Sequence, residues 1–63
     1  MTIQEAIEIM RLKPNDIERL SVNGIMYILH LNSIQMSRIN TIVERERLTK
    51  EAEALNTLLK IAK

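Results

Sequence analysis

The sequence predicts a mainly α-helical chain interrupted by one small β-hairpin, followed by a C-terminal helix that faces outward, all within 63 residues. Three observations lead there. Two Thr-x-x-Glu capping boxes, Thr2 to Glu5 and Thr41 to Glu44, mark helix starts. Apolar and polar residues pair across Asn32-Ser33 as they would across a two-residue turn. The last stretch keeps helical periodicity but changes the face on which its apolar residues fall.

The first helix begins at Thr2, whose hydroxyl and the Glu5 carboxylate can satisfy the orphan N–H groups of the opening turn. Ile3, Ala6, Ile7 and Met10 recur at helical spacing and form one stripe, with Gln4, Glu5 and Glu8 outside it. The helix should end near Leu12, because Pro14 disfavours the α conformation at Lys13. Pro14 suits the first turn of a second, short helix, in which Ile17 and Leu20 share a face. Asn23-Gly24 is expected to close it, since either residue tolerates the left-handed conformation that ends helices.

From Ile25 to Ser37 a turn at Asn32-Ser33 pairs Leu31 with Ile34 and Leu29 with Met36 on one face. It pairs His30 with Gln35 and Ile28 with Ser37 on the other. A helix through the same residues would be apolar nearly all round, which so short a chain could bury only in an oligomer interface, so the hairpin is preferred. From about Ser37 to Lys63 a single helix is expected, with Ser37 or Thr41 as cap. Ile39, Ile42 and Val43 cluster on one side of it. Leu48, Ala52, Leu55, Leu59 and Ala62 fall near the opposite side in a 4-3-4-3 pattern, beyond the charged Glu44-Arg45-Glu46-Arg47. One helix would thus serve two surfaces, the first set packing on its own domain and the second forming an oligomerisation seam.

Composition narrows the function classes. The chain is 46% apolar and 27% charged, rich enough in aliphatic side chains to collapse. No cysteine is present to form a disulfide or a thiolate metal site, so partner subunits become the expected source of added stability. A single glycine leaves no Gly-rich phosphate loop. The net charge of +1 carries no signature of a basic or acidic tail. The longest apolar run, Ile25 to Leu31 with His30 inside it, is far shorter than a bilayer requires. Glu5 and Glu8 stand where a signal peptide would carry bases, so a cytoplasmic protein without a membrane partner is expected.

The order of elements, helix, short connection, short helix, two-stranded wing and helix, resembles a winged helix-turn-helix. At the residue level the chain is similar to the MerR-like and excisionase type. The matching residues are Thr2-Ile3-Gln4-Glu5-Ala6, then Leu12-Lys13-Pro14-Asn15-Asp16-Ile17-Glu18-Arg19-Leu20, then Gly24. Asn32-Ser33-Ile34-Gln35-Met36-Ser37-Arg38 resembles the wing-to-helix passage of small excisionases of conjugative transposons. The resemblance covers about residues 2 to 45 and implies a winged helix-turn-helix at 1–45; the apolar periodicity beyond it makes 46–63 a C-terminal oligomerisation helix. The resemblance further implies a dimeric protein of a phage or mobile element that binds double-stranded DNA as excision accessory factor or transcriptional regulator. The second helix would enter the major groove and the wing would lie against phosphates. On that reading Lys13, Asn15, Arg19, Asn23, His30, Asn32, Ser33, Gln35 and Arg38 face DNA, while Leu48, Ala52, Leu55, Leu59 and Ala62 join two copies. A phage terminase small subunit has a similar layout.

Two departures favour an alternative. The family carries Ser or Thr before the proline, and here Lys13 stands there. The presumed recognition surface holds two acids and one base, and residues 1–40 balance four acids against four bases, whereas phosphate neutralisation supplies most non-specific DNA affinity. The same fold could therefore serve as an interaction or inhibitor module for a host or phage protein. His30 has no second His or Cys to complete a metal or nucleophilic set and reads as an exposed wing residue. Tyr27 reads as part of the hairpin's packed face, and Met10, Met26 and Met36 as core filling. No catalytic residue, metal or cofactor is expected.

Overall fold

The computed structural model describes residues 1–63 and contains four helices: α1 (Ile3–Met10), α2 (Pro14–Glu18), α3 (Val22–Arg38) and α4 (Ile42–Leu58). The opening capping box forms as the sequence implies. The Thr2 hydroxyl accepts from the Glu5 N–H at 3.1 Å, and the Glu5 carboxylate accepts from the Thr2 N–H at 3.2 Å. Helix α1 stops at Met10, two residues before the expected end. Arg11 turns into the left-handed region at φ 54° and ψ 42°, and the Arg11 and Leu12 N–H groups donate back to the Glu8 and Ile7 carbonyls. Pro14 opens α2, aided by an Asp16 carboxylate that accepts from the Lys13 N–H at 2.9 Å.

The expected small β-hairpin is absent, and with it the wing: residues 25–37 lie inside one helix of 17 residues, and the chain has no strand. Asn23-Gly24 does not close α2, which ends at Glu18; the pair stands in the first turn of α3. Neither residue has a positive φ. Ser21 is the cap, its hydroxyl accepting from the Gly24 N–H at 3.0 Å, and a Cβ at position 24 would lie 2.9 Å from that hydroxyl. The glycine thus makes room for a cap that starts a helix.

Asn32, expected at the tip of a hairpin turn, is buried. Its Nδ2 donates to the Leu48 carbonyl of α4 at 3.2 Å, and no buried side-chain polar atom lacks a partner. Ile25, Leu29, Asn32 and Met36, spaced 4-3-4, form the inward stripe of α3.

Helix α4 lies centrally, packed on α1 and on α3. Its Ala54, Leu55 and Leu58 join Ala6 and Ile25 in the core, with Ile7, Ile9, Met10, Leu12, Leu20, Leu29, Leu59 and Ala62 packed around them. Ala6 and Ala54 are both fully buried, and their small side chains leave room for the backbones of α1 and α4 to approach. The face assignment along the last helix is therefore reversed. Leu48 and Leu55 are 2% exposed within one chain, whereas Ile42 and Val43, expected to pack on the domain, are 74% and 76% exposed. The 4-3-4-3 seam closes this domain on itself, and the division at residue 45 falls within α4.

The start of α4 also departs from expectation. Thr41 is its N-cap but makes no side-chain cap hydrogen bond, so the second capping box does not form. Arg45 instead reaches back across the connection, its Nε donating to the Ile39 carbonyl at 3.0 Å. At the other end Lys63 is clasped to the α2–α3 turn: its N–H donates to the Leu20 carbonyl, and its carbonyl accepts from the Val22 N–H, both at 3.2 Å.

Candidate protein-interaction surface

Helix α3 turns only one of its apolar stripes inward. Tyr27, Leu31 and Ile34 follow a 4-3 spacing of their own, and at 100° per residue this second stripe lies opposite Ile25, Leu29, Asn32 and Met36. Tyr27 is 65% exposed and Met26, at the edge of the stripe, is 53% exposed; Leu31 and Ile34 are exposed as well. Ile28 extends the apolar surface along the edge opposite Met26, and Val22 is exposed in the first turn of α3. No acid and no Lys or Arg occurs from Val22 to Ser37; Arg38 is the first charge and stands in line with Tyr27, Leu31 and Ile34, one further step of four along. Tyr27 and Met26 are thus surface residues, correcting their expected place in packed interiors. Met10 and Met36 are half-buried, with Met10 packed against the core.

A stripe of this kind on a chain with seven buried residues is a large apolar exposure for its size. The side chains on it carry one polar group, the Tyr27 hydroxyl, and no acid–base pair. The arrangement can bury aliphatic and aromatic surface against a second helix.

The residues expected to face DNA are dispersed. Asn32 is buried and engaged with α4. Lys13 and Asn15 stand at the start of α2, and Arg19 is its C-cap. Asn23, His30, Ser33, Gln35 and Arg38 are exposed but distributed around α3, with Ser33 and Gln35 on nearly opposite sides. Without the hairpin there is no wing to bring Asn32, Ser33 and Gln35 to a groove. Among the residues expected to join two copies, Leu48 and Leu55 are buried, Leu59 and Ala62 pack on the core, and Ala52 is half-buried, so they offer no exposed stripe.

Elsewhere the surface is shallow. A cleft of about 380 Å³ runs between the end of α1 and the middle of α4, lined by Ile9, Met10, Arg11, Arg47, Lys50 and Glu51. No three His, Asp or Glu side chains gather where they could hold a metal ion, and no helix is long and apolar enough to cross a membrane.

No family model, curated protein or solved structure matches this chain. What the fold and surface define is a small four-helix domain with one helix apolar on both sides.

The sequence signal for this surface was visible as the near-continuous apolar character of residues 25–36. The hairpin reading divided that character between two strands. The helical alternative, a helix apolar nearly all round, is the one that forms, with apolar residues exposed on its outer side.

Proposed function

We propose that this chain is a protein-interaction module whose working surface is the outer face of α3. The observation that carries the reading is the uncharged, exposed row of Tyr27, Leu31 and Ile34, flanked by Met26, on the side of α3 that its own domain leaves uncovered. Aliphatic and aromatic surface of this kind gains free energy when removed from water, at roughly 25 cal/mol per Å². A duplex DNA partner, by contrast, is held chiefly by cations on its phosphates, and α3 offers only Arg38 at its far end. The module acts by docking.

A photo-crosslinking amino acid placed singly at Met26, Leu31, Gln4 or Thr49 of the intact chain, in the cells that produce it, tests this. Adducts should form at Met26 and Leu31 and be scarce at Gln4 and Thr49, which are also exposed. Equal adduct yield at all four positions, or none at the α3 positions, would overturn the reading. The DNA alternative is checked separately by fluorescence anisotropy with mixed-sequence duplexes at low salt. No saturable binding is expected there, and salt-sensitive micromolar binding would restore it.

A further inference from the structure

We infer that the partner covering the outer face of α3 is a second copy of this chain, packed antiparallel so that Leu31 meets Ile34 of the partner subunit and Tyr27 meets Arg38 of the partner subunit. The inference rests on the docking role just proposed and names its occupant. Tyr27, Leu31, Ile34 and Arg38 are spaced 4-3-4, the repeat with which one helix seats knobs into the holes of another. A two-fold axis crossing between residues 32 and 33 maps the row onto itself, with Leu31 and Ile34 central and Tyr27 and Arg38 outside them.

Charge selects the orientation. In a parallel pair the two Arg38 side chains would share one layer. In the antiparallel pair they are 11 residues apart, about 16 Å along the axis and beyond the screening length at physiological salt. Each guanidinium then lies over a tyrosine ring, where the electron-rich face attracts it. Between the arginines the stripe carries no charge, so an identical uncharged surface is matched to it, whereas a basic or acidic helix would bury unpaired charge against it.

Area fits as well. Tyr27, Leu31 and Ile34, with Met26 and Ile28 at the edges, leave roughly 450 Å² of side chain in water, as large as the largest patch of many bigger monomers. The exposed His30 and Arg38 adjoin it and add to the area a partner would cover, toward the ~800 Å² per partner of a standard interface. A domain of 63 residues with seven of them buried also gains more from such a partner than a larger domain would.

Two measurements on the full chain decide it. Sedimentation velocity should show a dimer at about 100 µM that dissociates toward low micromolar concentration, and Leu31→Glu should be monomeric throughout with an unchanged helical circular dichroism spectrum. Orientation is read by thiol cross-linking, because the chain has no cysteine of its own. Tyr27→Cys mixed with Arg38→Cys should cross-link through a short bifunctional reagent, and neither alone should. Cross-linking of each variant with itself would establish a parallel pair and overturn the geometry. A wild-type chain that is monomeric at about 200 µM would overturn the homodimer. In that case the crosslinking in cells still separates the two ideas, since adducts at Met26 and Leu31 with the mass of a different protein sustain the docking role, and their absence removes it too.

Discussion

Arg11 shows how a single residue can hold a conformation that suits another. It closes α1 from the left-handed region, where its Cβ crowds the backbone and where glycine is usual. Its side chain is exposed. Arg11→Gly should therefore stabilise the domain by about 0.5–1 kcal/mol in urea denaturation, despite adding a flexible residue; a loss of stability would mean that the Arg11 side chain holds the turn. Asn32 is the opposite case, a polar residue whose environment is specific. Its one hydrogen bond across to Leu48 in the α3–α4 seam is worth roughly 0.5–1.5 kcal/mol, so Asn32→Ala should cost about that plus a packing loss, 1–2 kcal/mol in all. Asn32→Asp would bury a carboxylate opposite a carbonyl oxygen and should cost more than Asn32→Ala at neutral pH, a difference that narrows as the solution is acidified and the carboxyl takes up a proton.

Among the helices, α1 depends on its cap. The Thr2 N–H and then the Thr2 hydroxyl hold the Glu5 carboxyl below its ordinary value. A group whose folded-state value is depressed adds stability above its unfolded value, and that stability is lost as pH falls through the folded value. Amide exchange in α1 should accordingly quicken relative to α4 as pH is lowered below the ordinary glutamate range, once the intrinsic pH dependence of exchange is removed, and Glu5→Gln should lose that step. The same helix was legible in the sequence because its evidence is local: Thr2, Glu5 and an apolar stripe lie within ten residues, and Pro14 announces α2 in the same way. Helix α3 was not. Leu29 and Met36 are seven apart and Leu31 and Ile34 three apart, so both apolar pairs that match across a hairpin also share a helix face. With apolar residues on both sides the helical period is masked, and Asn32-Ser33 and Asn23-Gly24 look like turns because a buried hydrogen bond to α4 and a close-fitting cap are invisible along the chain. In α4 the stripe itself was found, but periodicity does not say which neighbour covers it. Leu55 lies in the core, so Leu55→Glu should unfold the chain, costing at least 3–5 kcal/mol, where an intermolecular seam would have left the helices intact.

The whole molecule is an elongated body of 34 × 21 × 17 Å built around α4, with its apolar surplus gathered on α3. If two copies share that surplus, folding and association are linked, and the thermal midpoint should rise with protein concentration in the wild-type chain while staying constant in Leu31→Glu. The position of Tyr27 adds an optical consequence. It is the only aromatic side chain, and it stands 65% exposed at one end of the uncovered row. Near-ultraviolet absorption and emission therefore come from one spot on one face, and the core contributes nothing to them. Unfolding the isolated domain should change this signal little, because the ring is already largely in water. Covering the face should change it strongly, shielding the phenol from acrylamide and giving it the ordered asymmetric setting that produces near-ultraviolet dichroism. The chain carries, without any label, a reporter that is almost silent to its own folding and responsive to its company.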